Sequence, residues 1–196
     1  MASTGAIGSD ENRNLAAVRA SEILRSESRY EEAIELLANR PNTDVLHLEL
    51  GNIYFDMGDV QMADFHYEMA EMAGLPMTDE LKRSMAHTAY MYAEELQFSD
   101  VELKGAINSY TRAIALDPDH MLSYLGRGQA HLARKEFDQA CKDLDRAVTL
   151  GADWSGYLLR ARCREGRGDT QAARSDYEAV LKLNPHHTGA KKALGM

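Results

Sequence analysis

The pattern of residues 121–150 returns over residues 154–183, and this repetition restricts the fold more than any other feature of the sequence. Each copy contains a small residue, a second small residue twelve positions later, and a large apolar residue four positions after that. These are Gly128, Ala140 and Leu144 in one copy, and Ala161, Ala173 and Tyr177 in the other. Two helices cross closely only where both lack bulk at the contact, and a larger residue one turn away fills the space where the axes diverge. The pattern therefore predicts helical hairpins that pack on one another.

Three earlier segments share these small and large positions, so the sequence predicts five hairpins. They lie near residues 14–41, 44–76, 78–118, 121–150 and 154–185. The third copy has five additional residues between its small positions, which we expect to lengthen its helices and displace the turn near Gln97 to Lys104. Residues 1–12 are small and polar and predict a disordered tail. The expected solenoid spans residues 13–196, of which 186–196 form a capping or truncated helix.

Residues 44–76 resemble the tetratricopeptide repeat, a helix-turn-helix unit of about 34 residues. The matching residues are Leu50, Gly51, Tyr54, Ala63, Tyr67 and Pro76, which follow the family's Leu-Gly-x2-Tyr, Ala-x3-Phe and Pro pattern. The resemblance implies an all-α, right-handed superhelix that holds a protein or peptide partner in a groove lined by the first helix of each hairpin.

The charge of the chain is uneven and, in sum, acidic. The formal net charge is -9, with 18 acidic and 7 basic residues in positions 1–98 and 13 acidic and 15 basic residues in positions 99–196. Nucleic-acid binding needs an excess of clustered Lys and Arg, so it is disfavoured.

No run approaches the roughly 20 apolar residues of a membrane helix, and the N-terminus lacks signal-peptide features. We expect a cytoplasmic protein, or a periplasmic one if a leader was removed, with self-association possible.

The sequence predicts no catalytic residue, cofactor or metal ligand. It contains no glycine-rich phosphate loop, nucleophile elbow or metal-binding His-Glu helix, which argues against an enzyme. Four histidines, His47, His66, His87 and His120, are scattered without an acidic or serine partner at fixed spacing. Cys141 and Cys163 match no zinc spacing and fall in predicted helices, so we expect free, buried thiols in a reducing compartment.

Arginines and aspartates vary together in the last two hairpins. Only there does an arginine precede the first small position, and only there does an aspartate precede the large position; the pairs are Arg127 with Asp143 and Arg160 with Asp176. This covariation predicts an ion pair inside each hairpin. By contrast, Arg164 and Arg167 are expected on a solvated charged face.

The first helices also carry a stripe of residues at 3-4-3 spacing, separate from the packed face. The predicted peptide-binding residues on it are Leu48, Asn52, Phe55, Tyr90, Leu125, Gln129, Leu132, Leu158 and Arg162. Because most of the stripe is apolar, we expect it to receive an amphipathic helix or apolar peptide, with Asn52, Gln129 and Arg162 setting its direction. The alternative is that the terminal helix, a second subunit or tight curvature closes the groove.

These features favour a protein-interaction scaffold or adaptor. One alternative is a repeat arm of a larger enzyme or regulatory protein, and another is an assembly factor for envelope or secretion machinery. A co-chaperone that clamps acidic chaperone tails is disfavoured by the net charge of -9 and by a poor match to the family's clamp of Lys, Asn and Arg residues. Read from the second hairpin only Asn52 matches, and read from the third only Arg162 matches. Leu48, His87, Leu125 and Gln129 stand at the other clamp positions.

Overall fold

The computed structural model describes residues 4–38, 40–41, 43–96 and 100–196, and these residues form helices joined by short turns, with no β-strand among them. Eleven helices occur in the described ranges. They are α1 (Thr4–Ser26), α2 (Tyr30–Ala38), α3 (Asp44–Met57), α4 (Val60–Met72), α5 (Asp79–Glu95), α6 (Asp100–Leu116), α7 (Met121–Ala133), α8 (Phe137–Thr149), α9 (Trp154–Gly166), α10 (Thr170–Leu183) and α11 (Thr188–Ala193). Successive pairs from α1 to α10 give the hairpins, which confirms the all-α class.

The small positions are buried at the crossings of the paired helices. A Cβ atom added to Gly51 would lie 2.5 Å from the ring of Tyr67, and one added to Gly128 would lie 2.7 Å from Cγ of Leu144. The small and large positions of all five hairpins are buried: Ser21, Ala33 and Leu37; Gly51, Ala63 and Tyr67; Ala89, Ala106 and Tyr110; Gly128, Ala140 and Leu144; Ala161, Ala173 and Tyr177. The predicted packing register is therefore correct.

Side-chain caps and a glycine turn delimit several helices. Gly58 adopts a left-handed backbone with φ of 81° between α3 and α4, a conformation that costs glycine little. Asp59 then accepts a hydrogen bond from the Met62 amide at 3.0 Å. The predicted cap at Thr78 is also present, because the Leu81 amide donates to its hydroxyl oxygen at 3.2 Å.

The additional residues of the third hairpin lengthen both of its helices. Helices α5 and α6 have 17 residues each, whereas the four helices from α7 to α10 have 13 or 14. The predicted turn near Gln97 to Lys104 is too long, since α6 already begins at Asp100. No proline or glycine interrupts the chain there before Gly105, so the helix extends toward the turn. Residues 97–99 lie outside the described residues.

The prediction of a disordered tail over residues 1–12 is wrong from Thr4 onward, where α1 begins. Residues 1–3 lie outside the described residues. Gly5 and Gly8 weaken a helix by about 1 kcal/mol each relative to alanine, but neither removes a backbone hydrogen bond as proline would. The helix that packs around Ala17 and Val18 therefore continues toward the N-terminus.

The chain divides into two compact units, Met1–Thr88 and Ala89–Met196. The first has a core that includes Ala17, Val18, Ala33, Leu37, Leu46 and Ile53. The second contains the clusters around Leu144 and around Tyr177, the latter completed by Ala190 of α11. Among the described residues, no helix combines the length and apolar character needed to cross a bilayer.

Candidate peptide-binding face

In the second unit, α7 and α9 pack beside each other and carry most of the predicted binding residues. Leu125 and Leu132 lie half-buried over the cluster of Ala140, Leu144 and Cys163, and Leu158 lies half-buried over the next cluster. Leu122, one turn before Leu125, keeps 39% of its surface exposed. The two helices therefore present an apolar strip, which we call the α7–α9 face and define by Leu122, Leu125, Leu132, Leu158, Gln129 and Arg162.

Polar and aromatic groups border the α7–α9 face. Gln129 and Arg162 are both exposed and lie one position after the small residues Gly128 and Ala161. Tyr90 of α5 belongs to the same unit and is half-buried, with its ring centre 6.1 Å from that of Tyr110 and 5.3 Å from that of His120. An apolar segment could thus bury leucine side chains while its polar groups reach Gln129 and Arg162.

The three predicted residues of the first unit lie on α3. Leu48, Asn52 and Phe55 are all half-buried. The Asn52 carbonyl oxygen accepts a hydrogen bond from the Tyr67 hydroxyl at 2.9 Å, and its amide nitrogen donates to Glu49 at 3.2 Å. A ligand that used Asn52 would have to replace these internal bonds, which lowers its value as an orienting group.

Tyrosines at the large position place hydroxyl groups beside the first helices, which the sequence did not indicate. Besides Tyr67, Tyr110 donates to Glu94, and Tyr177 donates to Glu165 at 2.8 Å. Burial, and then the hydrogen bond to Glu165, raise the pKa of Tyr177, and burial, followed by the charge of Asp56, raises the pKa of Tyr67 to about 12. The Tyr67 and Tyr177 hydroxyls are therefore neutral donors at physiological pH. The one feature of the sequence that could have predicted these hydroxyl groups is tyrosine at three large positions where the family pattern has phenylalanine.

The predicted ion pairs are confirmed in both of the last full hairpins. Arg127 donates to the two carboxylate oxygens of Asp143 at 2.8 Å each, and Arg160 contacts Asp176 at 2.7 Å and 3.0 Å. Arg160 also reaches Asp145 of the preceding hairpin at 3.1 Å. Burial lowers the pKa of Arg160, but the two carboxylates outweigh this effect and raise it overall. These arginines serve internal packing.

Arg164 corrects the expectation of a solvated charged face. It donates to Asp176 at 2.8 Å and lies 3.2 Å from Asp145, because it stands one helical turn after Arg160 and reaches the same two carboxylates. Arg167, in contrast, is mostly exposed, with Asp138 3.1 Å away. Arg162 points away from this network and remains exposed on the α7–α9 face.

Two histidines that looked unrelated in sequence meet in the first unit. His66 stands before the large position, where later hairpins have aspartate, and its Nδ1 lies 3.0 Å from Nδ1 of His47. The His66 ring stacks on Tyr54, with centres 5.3 Å apart. Burial, and then the charge of His47, lower the pKa of His66 to about 4. Only acidic and serine partners were considered for these histidines in the sequence, so this contact was not predicted.

Comparison with known proteins assigns the architecture. Two sequence profiles, each described as Tetratricopeptide repeat, match residues 102–156 and residues 156–187. Residues 102–187 therefore match tetratricopeptide repeats. Human serine/threonine-protein phosphatase 5 is 34% identical over 113 residues, which cover 54% of this chain and 23% of that protein. Heat shock protein sti1 homolog of Schizosaccharomyces pombe is 36% identical over 97 residues, or 46% of this chain and 16% of that protein. The chain thus spans less than a quarter of these relatives.

Solved tetratricopeptide-repeat structures match both the whole chain and part of it. YrrB is 16% identical with a TM-score of 0.61, and the match covers 100% of this chain and 99% of that one. The second tetratricopeptide domain of human RPAP3, determined in complex with the HSP70 peptide SGPTIEEVD, is 28% identical with a TM-score of 0.51 and covers 56% of this chain and 95% of that one. The first comparison supports the fold alone.

A disulfide joins two consecutive tetratricopeptide repeats and overturns the prediction of free thiols. Cys141 of α8 and Cys163 of α9 are bonded to each other, with their Cα atoms 5.6 Å apart. The two cysteines therefore lie on the facing surfaces of α8 and α9. A separation of 22 residues does not reveal that register in the sequence. Within the described ranges, no group of three or more His, Cys, Asp or Glu side chains could hold a metal ion.

Proposed function

We propose that this tetratricopeptide-repeat protein is a scaffold that binds an amphipathic helix or apolar peptide of a protein partner on the α7–α9 face. The observation that carries the proposal is the exposed Leu122 beside the half-buried Leu125, Leu132 and Leu158. Arg127, Arg160 and Arg164 are engaged in internal ion pairs. A ligand on α7 and α9 would therefore contact the apolar strip and Arg162. Leucines would supply the buried area, and Gln129 and Arg162 would orient the peptide.

Tyr90 of the second unit, and Leu48, Asn52 and Phe55 of the first, are proposed as further contacts for a longer ligand. Each belongs to a first helix and is half-buried. Asn52 is the weakest of these because its amide is already bonded to Tyr67 and Glu49. A partner that reaches them would extend beyond the α7–α9 face.

Capture of an acidic chaperone tail is the second candidate, and the relatives favour it. The RPAP3 domains were determined with an HSP70 peptide, SGPTIEEVD, and an HSP90 peptide, SRMEEVD. Their matches cover 56% and 58% of this chain. The side chains argue against it, because Leu48, His87 and Leu125 replace the polar and basic groups that would clamp a carboxylate. We therefore rank it below the apolar ligand.

The same binding role is expected if this chain is part of a larger protein. If the repeats form an arm of an enzyme or regulatory protein, as the match to phosphatase 5 allows, this stretch would still act by binding rather than by catalysis. An envelope or secretion assembly factor would use the same face. These alternatives differ in the partner that would be bound, and each of them would use the α7–α9 face.

The disulfide bears on the compartment. Intrachain disulfides persist in oxidising compartments and are rare in the cytoplasm, so we infer that the protein works in an oxidising compartment such as the periplasm. Alkylation of thiols in intact cells, followed by denaturation and mass measurement, tests this. We expect no alkyl group on Cys141 or Cys163; modification of both would restore the cytoplasmic prediction.

The binding proposal is tested by selecting peptides from a phage-displayed library on the whole chain and measuring their affinity by fluorescence polarisation. We expect apolar peptides whose Kd rises at least tenfold for Leu122→Ser and for Leu158→Ser. Leu183→Ser is the matched control, since this leucine of α10 is 57% exposed and lies off the face.

Labelled SGPTIEEVD, measured in parallel, separates the two candidates. Tight binding of this acidic peptide that is lost on Arg162→Ala, with no effect of Leu122→Ser, would favour chaperone-tail capture. Selected peptides that bind all leucine variants equally would place the partner elsewhere. Circular dichroism of each variant verifies that the fold is intact.

A further inference from the structure

The outer side of α4 carries a stripe of large apolar side chains that the α7–α9 proposal does not use. Phe65 is 49% exposed and Met72 is 75% exposed, while Met62 and Met69 of the same helix are half-buried. We call these four residues the α4 stripe. At 100° per residue, the stripe points away from the side of α4 that buries its small and large positions. It therefore plays no part in closing the hairpin.

The other hairpins serve as internal controls for the α4 stripe. Phe65 lies two positions before the large residue, and the equivalent residues elsewhere are Glu35, Asn108, Lys142 and Ser175. Met72 lies five positions after the large residue Tyr67, and the last two full hairpins have Thr149 and Lys182 at this position. Because the position of Phe65 is polar in all four other hairpins, and that of Met72 is polar in the last two and a small alanine (Ala115) in the third, the repeat fold itself does not require a large apolar residue at either position. The stripe is a specific property of the second hairpin.

The charged side chains in the stretch of sequence around the stripe are all acidic, and two of them, Glu49 and Asp56, pair with Arg25 of α1. Residues 41–81 contain nine acidic residues and no lysine or arginine, and the first unit has 16 acidic and 7 basic residues, a difference of -9. Two of the carboxylates, Glu68 and Glu71, are exposed on α4 and lie toward the same edge of the stripe, with Glu68 next to it. The second unit has 15 of each sign, so the excess charge of the whole chain lies on the unit that carries the stripe.

We propose that the α4 stripe is a second docking surface, which binds a basic amphipathic helix of a partner protein. The apolar face of such a helix would cover Phe65 and Met72, and its lysines or arginines would meet Glu68 and Glu71. Methionine side chains are flexible and polarisable, so they adapt to the varied apolar residues of a helix. An anionic lipid surface and a nucleic acid are unsuitable occupants, because each would bring negative charge against an acidic surface, and so would a second copy that docked through its own α4 stripe.

A designed peptide pair tests the proposal on the full chain. The probe is the fluorescein-labelled amphipathic helix LKKLLKLLKKLLKL, and its acidic counterpart LEELLELLEELLEL has the same apolar face. We expect the lysine peptide to bind, the glutamate peptide to bind at least tenfold more weakly, and the difference to shrink at high salt. Phe65→Ser combined with Met72→Ser should raise the Kd of the lysine peptide at least tenfold, and Glu68→Lys should raise it in low salt.

The matched control is Leu183→Ser, which removes an exposed leucine from the second unit and should leave the Kd unchanged. Equal binding of the lysine peptide to the wild type and to the Phe65/Met72 variant would overturn the proposal, as would equal binding of the two peptides. A wild-type dimer in sedimentation that the Phe65/Met72 variant loses would also overturn it, by assigning the stripe to a second copy. Peptides selected on the α7–α9 face should be insensitive to the Phe65/Met72 variant, so the two proposals fail separately.

Discussion

In three hairpins, the residue immediately before the large position pairs with a side chain of the first helix. Asp143 and Asp176 meet Arg127 and Arg160, whereas His66 meets His47. The arginine pairs could be predicted because both members appear together in two hairpins and are absent from the others. The histidine pair occurs once and joins helix positions that carry no matched residues in the other hairpins, so no covariation indicated it.

Acidification should destabilise the first unit through His66. Burial and the charge of His47 lower its folded-state pKa from 6.5 to about 4, so between these values the unfolded chain binds a proton that the folded chain does not. Its contribution to stability is complete above about pH 6.5 and falls as the pH decreases toward 4. We expect the urea midpoint of the wild type to fall more steeply over this window than that of His66→Gln. The exposed His186→Gln should behave as the wild type; identical pH profiles for all three would contradict the buried pair.

Reduction of the disulfide should destabilise the second unit. The bond closes a loop between residues 22 apart in sequence, for which the chain-entropy relation gives a loss of about 3 kcal/mol on reduction. Urea unfolding with and without dithiothreitol measures the difference, and the double variant Cys141→Ala with Cys163→Ala should not respond to the reductant. Two reactive thiols in the denatured, unreduced protein would show that the bond is absent.

At the scale of helices, the small positions determine how closely the members of a hairpin approach. Ala140 and Ala173 are essentially inaccessible, so Ala140→Leu or Ala173→Leu should overpack the crossing and cost about 1 to 3 kcal/mol of unfolding free energy. Lys142→Leu is the control on the exposed side of α8 and should cost little. Chemical denaturation measures all three, and equal effects would mean that the packing register is wrong.

The positions of the hairpins could be predicted from the sequence, but several helix ends could not. Small and large residues report on contacts inside a hairpin, and these contacts are where the structure agrees with the pattern. The start of α1 at Thr4 and of α6 at Asp100 depend on backbone continuity in segments without a packing signature. Contacts between consecutive hairpins, such as the disulfide and the Asp145 bonds to Arg160 and Arg164, depend on a register that no single repeat encodes.

At the scale of the whole molecule, the two units differ in what they can bind. The first holds the excess negative charge and the α4 stripe, and the second is neutral in sum and carries the α7–α9 face. The uneven charge was evident from the sequence, and so were the leucines of the first helices. Their degree of exposure was not, because it depends on how much of each side chain the neighbouring hairpins cover.

Leucine methyl NMR of the whole chain, titrated with a peptide selected on it, tests the binding role of the α7–α9 face most directly. We expect the methyl signals of Leu122, Leu125, Leu132 and Leu158 to shift together and to saturate with the Kd obtained by fluorescence polarisation. Leu183 of α10 and Leu36 of α2 should remain unshifted. Saturable shifts confined to leucines outside the α7–α9 face would contradict the proposed function.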